Sequence, residues 1–157
     1  MELTKKQQVA AVISAVVVGT AALTGGLNYL HNQKQDLLDP NWTLVSNADD
    51  GGRWYIDNST LTYEDNRYVQ GWVLLSQAKS DKDGTRSVKF NTIFDCQGRQ
   101  YRFMSGAGTD GPNGHGAGTG ILEAGPTRDL PPGSNVANVA DYVCSNIGQQ
   151  QNDNSRI

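Results

Sequence analysis

The stretch Thr85-Arg-Ser-Val-Lys-Phe-Asn-Thr-Ile-Phe-Asp-Cys96 decides the fold. Val88, Phe90, Thr92, Phe94 and Cys96 fall on one side of an extended chain, while Ser87, Lys89, Asn91 and Asp95 fall on the other. A period of two marks a strand with one covered face. It puts Cys96 with the aromatics, toward a core, and leaves Ser87, Lys89, Asn91 and Asp95 as an exposed strand face.

Working outward, the same signature recurs. Residues 42–46, 53–57, 60–63, 67–77 and 100–105 read as further strands, separated by turn residues such as Asn47-Ala-Asp-Asp-Gly-Gly52, Glu64-Asp65-Asn66 and Gln97-Gly98-Arg99. In the longest, Val69, Val73 and Leu75 share one face and Tyr68, Trp72 and Leu74 the other. Bulk on both faces predicts a central strand covered on both sides. Six short strands with short turns predict an antiparallel sheet rather than alternating strands and helices.

Residues 106–125 are dense in glycine and mostly polar, with Gly-Ala-Gly-Thr at both 106–109 and 116–119. The expectation is a long mobile loop with at most a short extended piece at 120–123. Thr109, Asp110, Asn113, His115 and Thr119 are its candidate partner-contacting residues, because long loops without secondary structure are often binding elements. After Leu130-Pro-Pro-Gly-Ser134, apolar Val136, Val139, Ala140, Val143 and Ile147 recur at helical spacing. Ser134 is the expected N-cap, Gly148 the expected stop, and Cys144 borders the stripe. Residues 149–157 form a polar tail, expected to be disordered.

The compartment is read from the other end. From Val9 to Leu27 no charge interrupts an apolar run, and Lys5 and Lys6 precede it. About 19 such residues approach the ~20 that cross a bilayer as a helix. The flanking lysines orient the N-terminus to the cytoplasm and the remainder outward. The expected organisation is a cytoplasmic N-terminus (1–8), a transmembrane helix or uncleaved signal anchor (9–30), a linker (31–40), a periplasmic domain (41–148) and the tail (149–157). The competing reading is a cleaved signal peptide and a secreted or surface protein. Ala11, Ala15 and Gly19, spaced by four, form a candidate helix-association face. In an oxidising compartment the two cysteines, Cys96 and Cys144, read as a disulfide, stapling the helix across the sheet.

Net charge is −3, with no basic footprint for nucleic acid. Gly106-Ala-Gly-Thr-Asp-Gly111 matches G-x-G-x-x-G, yet Pro112-Asn113-Gly114 follows where a phosphate-binding helix would have to begin. Asp110 alone is too little carboxylate for a calcium site. His31 and His115 stand apart from any ligand cluster, and Asp49-Asp50 and Glu64-Asp65 sit in turns, where Asp serves turn geometry. No catalytic residue, metal ligand or cofactor is assigned.

One ordered set of residues resembles a known family. Trp42, Tyr55-Ile56-Asp57 with Ser59, Val69 with Trp72, Ser87-Val-Lys89 leading to Asp95-Cys96, and Pro132-Gly133-Ser134 leading to Val143-Cys144 resemble the surface-adhesin protein E family of Gram-negative bacteria, over about residues 41–146. The resemblance implies an α+β domain: a six-stranded antiparallel sheet whose C-terminal helix is tethered to the concave side by a disulfide. It also implies protein binding, since the type member is a lipid-anchored outer-membrane protein that binds host matrix and plasma proteins and can dimerise. This chain has no cysteine near the end of its apolar run to carry a lipid. The expected function is therefore a non-catalytic, membrane-anchored periplasmic protein that binds another protein. The alternatives are an accessory subunit of an inner-membrane complex held through its helix, and a secreted or surface adhesin. A homodimer is compatible with each.

Overall fold

A computed structural model describes residues 41–147. The anchor run, the Ala11, Ala15 and Gly19 face, Gly148 and the polar tail lie outside the described residues. Among the described residues, no helix is long and apolar enough to cross a membrane.

Among the described residues, eight strands and one α-helix follow in order. They are β1 Trp42–Asn47, β2 Arg53–Asp57, β3 Thr62–Glu64, β4 Tyr68–Ser76, β5 Ser87–Asp95, β6 Gln100–Thr109, β7 Gly118–Leu122, β8 Arg128–Asp129 and α1 Asn135–Ser145. All pairings are antiparallel, in the order β1-β2-β4-β5-β6-β7; β3 also pairs with β4, and β8 with β6. The expected sheet-and-helix architecture is present, with two strands more than the six expected. Both extra strands come from the region beyond β6.

The turns are built by the residues that announced them. Asp65 and Asn66 both take positive φ, 54° and 52°, and the Arg67 amide closes on the Glu64 carbonyl at 3.1 Å. That is the turn geometry whose twist matches a hairpin. The strand expected at 60–63 is displaced. The Asp57 carboxylate accepts from the Ser59 amide and hydroxyl, at 3.0 and 2.6 Å, and winds Asn58–Thr60 into a 3-10 turn. Pairing therefore begins only at Thr62. A local side-chain bond to the backbone has outcompeted the ladder.

Ile56, Val69, Val73, Phe90 and Phe94 from the sheet meet Ala137, Val139, Ala140 and Val143 from α1, joined by Leu130. Phe90 and Phe103 pack with ring centroids 4.7 Å apart. The helix is fixed at both ends. At its start the Ser134 hydroxyl accepts the Ala137 amide, Ser46 donates to Asn135 Oδ1 at 2.6 Å, and Asn138 donates to Ser46 at 2.9 Å. Near its end Cys144 is bonded to Cys96, with Cα atoms 5.7 Å apart, and Arg99 pairs with Asp141. The expected disulfide is thus present, on the expected face. β4 is central, but the cover expected on both sides is complete only at its end: Val69 and Val73 face the helix, while on the other side Leu74 and Ser76 are buried, Tyr68 and Trp72 half-buried and Gln70 exposed.

Candidate functional site in the connection between β6 and β7

The glycine-rich region is not the mobile loop expected. Its first residues, 106–109, complete β6, and residues 118–122 form β7. The eight residues between them fold back over the face opposite the helix, onto β4 and β5. Two serine hydroxyls receive them. Ser87 donates to the Gly111 carbonyl at 2.6 Å and accepts the Gly114 amide at 2.7 Å. Its oxygen also lies 2.9 Å from the Thr109 hydroxyl. A serine has one proton, here used on Gly111, so Thr109 is the donor. Ser76 accepts the Asn113 amide at 3.1 Å, in a contact that is itself buried.

The segment is also tied to itself. The Asp110 amide donates to the Ala117 carbonyl at 3.0 Å, and the Asp110 Oδ1 accepts the Ala117 amide at 2.7 Å. The amides of Gly111 and His115 donate to the carbonyls of His115 and Pro112. Two glycines are required by position. At Gly114, φ is +77°, and a Cβ would lie 2.1 Å from Lys89 Cε. At Gly116, φ is +92°, and a Cβ would lie 2.1 Å from the Asp110 carboxylate. At Gly114 the flexible Lys89 side chain could swing aside, so the positive φ is what favours glycine there, whereas at Gly116 a Cβ would also lie 2.8 Å from the Gly111 backbone nitrogen and the segment would have to move. Lys89 then extends over the Trp42 ring, with Nζ 5.6 Å from its centroid.

The five candidate residues do not converge. Asn113 is buried, and the Thr109 hydroxyl belongs to the Ser87 cluster. Asp110 is exposed, His115 half-buried, and Thr119 lies on β7, its hydroxyl 2.6 Å from that of Thr85. What the segment shows to solvent is Asp110, Gly116 and Ala117, with part of His115. The exposed strand face expected on β5 is corrected too. Ser87 is fully buried beneath this segment and Asp95 is largely buried, so Lys89 and Asn91 alone of the four are partly open. Sequence reasoning missed Ser76 and Ser87 as anchors, because a strand serine is ordinarily read as facing water.

Below the segment the same face stays open. Arg67 grips Asp95 with two bonds, at 2.9 and 2.6 Å, and stacks over Tyr68 with Cζ 5.0 Å from the ring centroid. The Arg67 guanidinium, helped by the Gly98 and Gln97 amides against the opposing effect of burial, holds the Asp95 carboxyl down at about 2. Two shallow hollows of about 390 and 330 Å³ adjoin across Tyr68 and Ile93. Among the described residues, no three His, Cys, Asp or Glu side chains gather to hold a metal ion.

The family model described as surface-adhesin protein E matches residues 42–145. The chain belongs to the surface-adhesin protein E family. The match runs from the first residue of β1 to the last of α1, so the family's domain and the sheet-and-helix unit coincide. A solved structure of Haemophilus influenzae protein E superposes with a TM-score of 0.55 at 20% identity, covering 72% of this chain and 90% of that one. A second crystal form of the same protein gives 0.58 at 18%, covering 71% and 93%. At that identity the likeness is one of fold. No curated protein matches the chain.

Proposed function

We propose that the chain is a membrane-anchored, exported protein whose adhesin-E-like domain binds another protein, with the connection between β6 and β7 as a contact element. The observation that carries this reading is the family match across the whole domain, 42–145, together with a surface segment held rigid by buried hydroxyls. A loop already fixed on its scaffold loses little conformational entropy when a partner docks. Asp110, Gly116 and Ala117 are the residues it offers. Membership of an adhesin family points away from enzymatic chemistry.

The run from Val9 to Leu27 behind Lys5 and Lys6 supplies the anchor, with residues 1–8 cytoplasmic and 41–148 periplasmic. Ala11, Ala15 and Gly19 would let that helix pack closely on another. The family's description as a surface adhesin favours a second reading, in which the run is removed and the domain is released or displayed at the cell surface. The mass of the mature chain separates the two: retention of residues 1–27 supports the anchor, and a soluble chain starting near residue 23 or 26 contradicts it.

The binding reading is tested on full-length protein extracted from membranes in mild detergent. Ala117 is exposed, so Ala117→Arg should leave the melting temperature unchanged and abolish co-purification of the partner. Undiminished capture by Ala117→Arg would contradict the assignment of the segment.

A further inference from the structure

β7 forms one outer edge of the sheet. β7 pairs with β6 from Gly118 to Leu122, and among the described residues no strand covers its other side. Its sequence, Gly-Thr-Gly-Ile-Leu, has no charge and no proline, and all five residues are exposed. Natural sheets blunt such an edge with lysines, prolines, bulges or a covering element, because its unpaired amides and carbonyls invite another strand. Here one irregularity interrupts the edge, at Thr119, where the register passes from Gly108–Gly120 to Thr109–Gly118, and Gly120 to Leu122 beyond it are left bare. Of the large apolar side chains exposed among the described residues, Leu44, Ile121 and Leu122, two stand on this one strand, and Ile121 is 86% exposed. The Thr119–Thr85 hydroxyl contact holds the strand in place.

Charge indicates the occupant. A hollow of about 230 Å³ runs from β7 to the turn between β4 and β5, and both Asp81 and Asp83 line it, whereas Lys79 and Lys82 of that turn do not. Val88 of β5 and Gly108 of β6 line it as well, so the turn lies over the sheet face inward of β7, within reach of a long side chain from a strand added at the edge, and Asp81 Oδ1 accepts the Asp83 and Thr85 amides, each at 2.9 Å. Glu123 follows directly on β7 and is exposed. A second copy of this chain would bring a like set of carboxylates to the seam, and like charges facing each other oppose pairing. A cationic strand would be attracted there.

We propose that β7 is a strand-addition site for an extended segment of another protein in which apolar residues alternate with basic ones. Main-chain hydrogen bonds along 118–122 would supply affinity, an apolar side chain would cover Ile121, and a lysine or arginine would reach Asp81 and Asp83. The inference rests on the protein-binding reading above and assigns the class of partner and a second surface.

The test uses full-length protein in mild detergent and two labelled ten-residue peptides, one alternating valine with lysine and one alternating valine with glutamate. The lysine peptide should bind at least tenfold more tightly than the glutamate peptide. Hydrogen exchange should slow at residues 118–122. Ile121→Lys should weaken binding at least tenfold without shifting the melting temperature, and Asp83→Asn should weaken it severalfold. Equal binding of the two peptides, no binding of either, or protection confined to other strands would overturn the proposal. So would sedimentation showing a dimer that Ile121→Lys converts to monomer, since the edge would then belong to a second copy. Absence of peptide binding while Ala117→Arg abolishes partner capture overturns the edge alone. Lysine-peptide binding while Ala117→Arg captures normally supports the edge and removes the role given to the connection.

Discussion

The two faces of the sheet are covered by opposite chemistry. On one, an apolar helix lies on apolar strands, and a covalent bond closes the end. On the other, a segment with almost no apolar side chain is held by the hydroxyls of Ser76 and Ser87 and by glycines that let backbone approach backbone. The first cover is stabilised by area removed from water. The second depends on satisfied hydrogen bonds, whose net contribution is modest but whose loss inside a covered site is costly. The helix face should therefore be the more robust to single polar changes, and the connection face the more sensitive to loss of one hydroxyl.

The largest expected effect is on the helix face. Cys96→Ser with Cys144→Ser removes a bond closing 48 residues. The chain-entropy model assigns such a ring about 4 kcal/mol, and delivered values commonly fall to about 2–4 kcal/mol. Urea unfolding of the exported domain within the full chain should show that loss, with the sheet still formed at low denaturant. A variant as stable as the parent would mean that Ser46, Asn135, Asn138 and the apolar stripe hold α1 without the staple.

The next effect sharpens the contrast. Ser87→Ala strands the Gly111 carbonyl and the Gly114 amide together, and should cost about 1–3 kcal/mol. A serine on an open strand face would cost only a few tenths. Thermal melts of Ser87→Ala and of Asn91→Ala, a half-open neighbour on the same strand, separate the two cases. Equal, small losses would mean that the connection is not docked.

The smallest effect is electrostatic and belongs to the open part of that face. Asp95 titrates at about 2 in the fold, below the ordinary carboxyl value of 3.8. A depressed folded value means that the Arg67 contact stabilises the protein above about pH 4, and that this contribution is lost as pH falls from about 4 to about 2. Melting temperature followed through that window should drop less in Asp95→Asn than in the parent. Parallel curves would remove Asp95 from the account.

The contrast also explains what could be read from the chain. Cys96 was placed by the period-two pattern of β5, and Ser134, Val139, Ala140 and Val143 by helical spacing, because apolar burial leaves a periodic trace. Burial through hydroxyls leaves none. Ser87 and Asp95 occupy the positions that alternation assigns to water, yet one receives a carbonyl and an amide and the other an arginine. Glycines carry no side chain to alternate, so the continuation of β6 through Gly106 and Gly108 follows only from pairing with β5, and the short extended piece expected at 120–123 becomes the strand β7, Gly118–Leu122, only through pairing with β6. For the same reason polarity is a poor guide within the connection: polar Asn113 and Thr109 are structural.

The glycine-rich connection is packed structure presenting a fixed surface. Hydrogen exchange at the Asn113 and Gly114 amides, measured on the full chain, tests it most directly. Both donate to buried serine hydroxyls, so both should exchange with protection comparable to the neighbouring amides of β5, and Ser87→Ala should release Gly114 first. Exchange of both at the rate of an unstructured peptide would contradict the account and return the segment to a mobile loop.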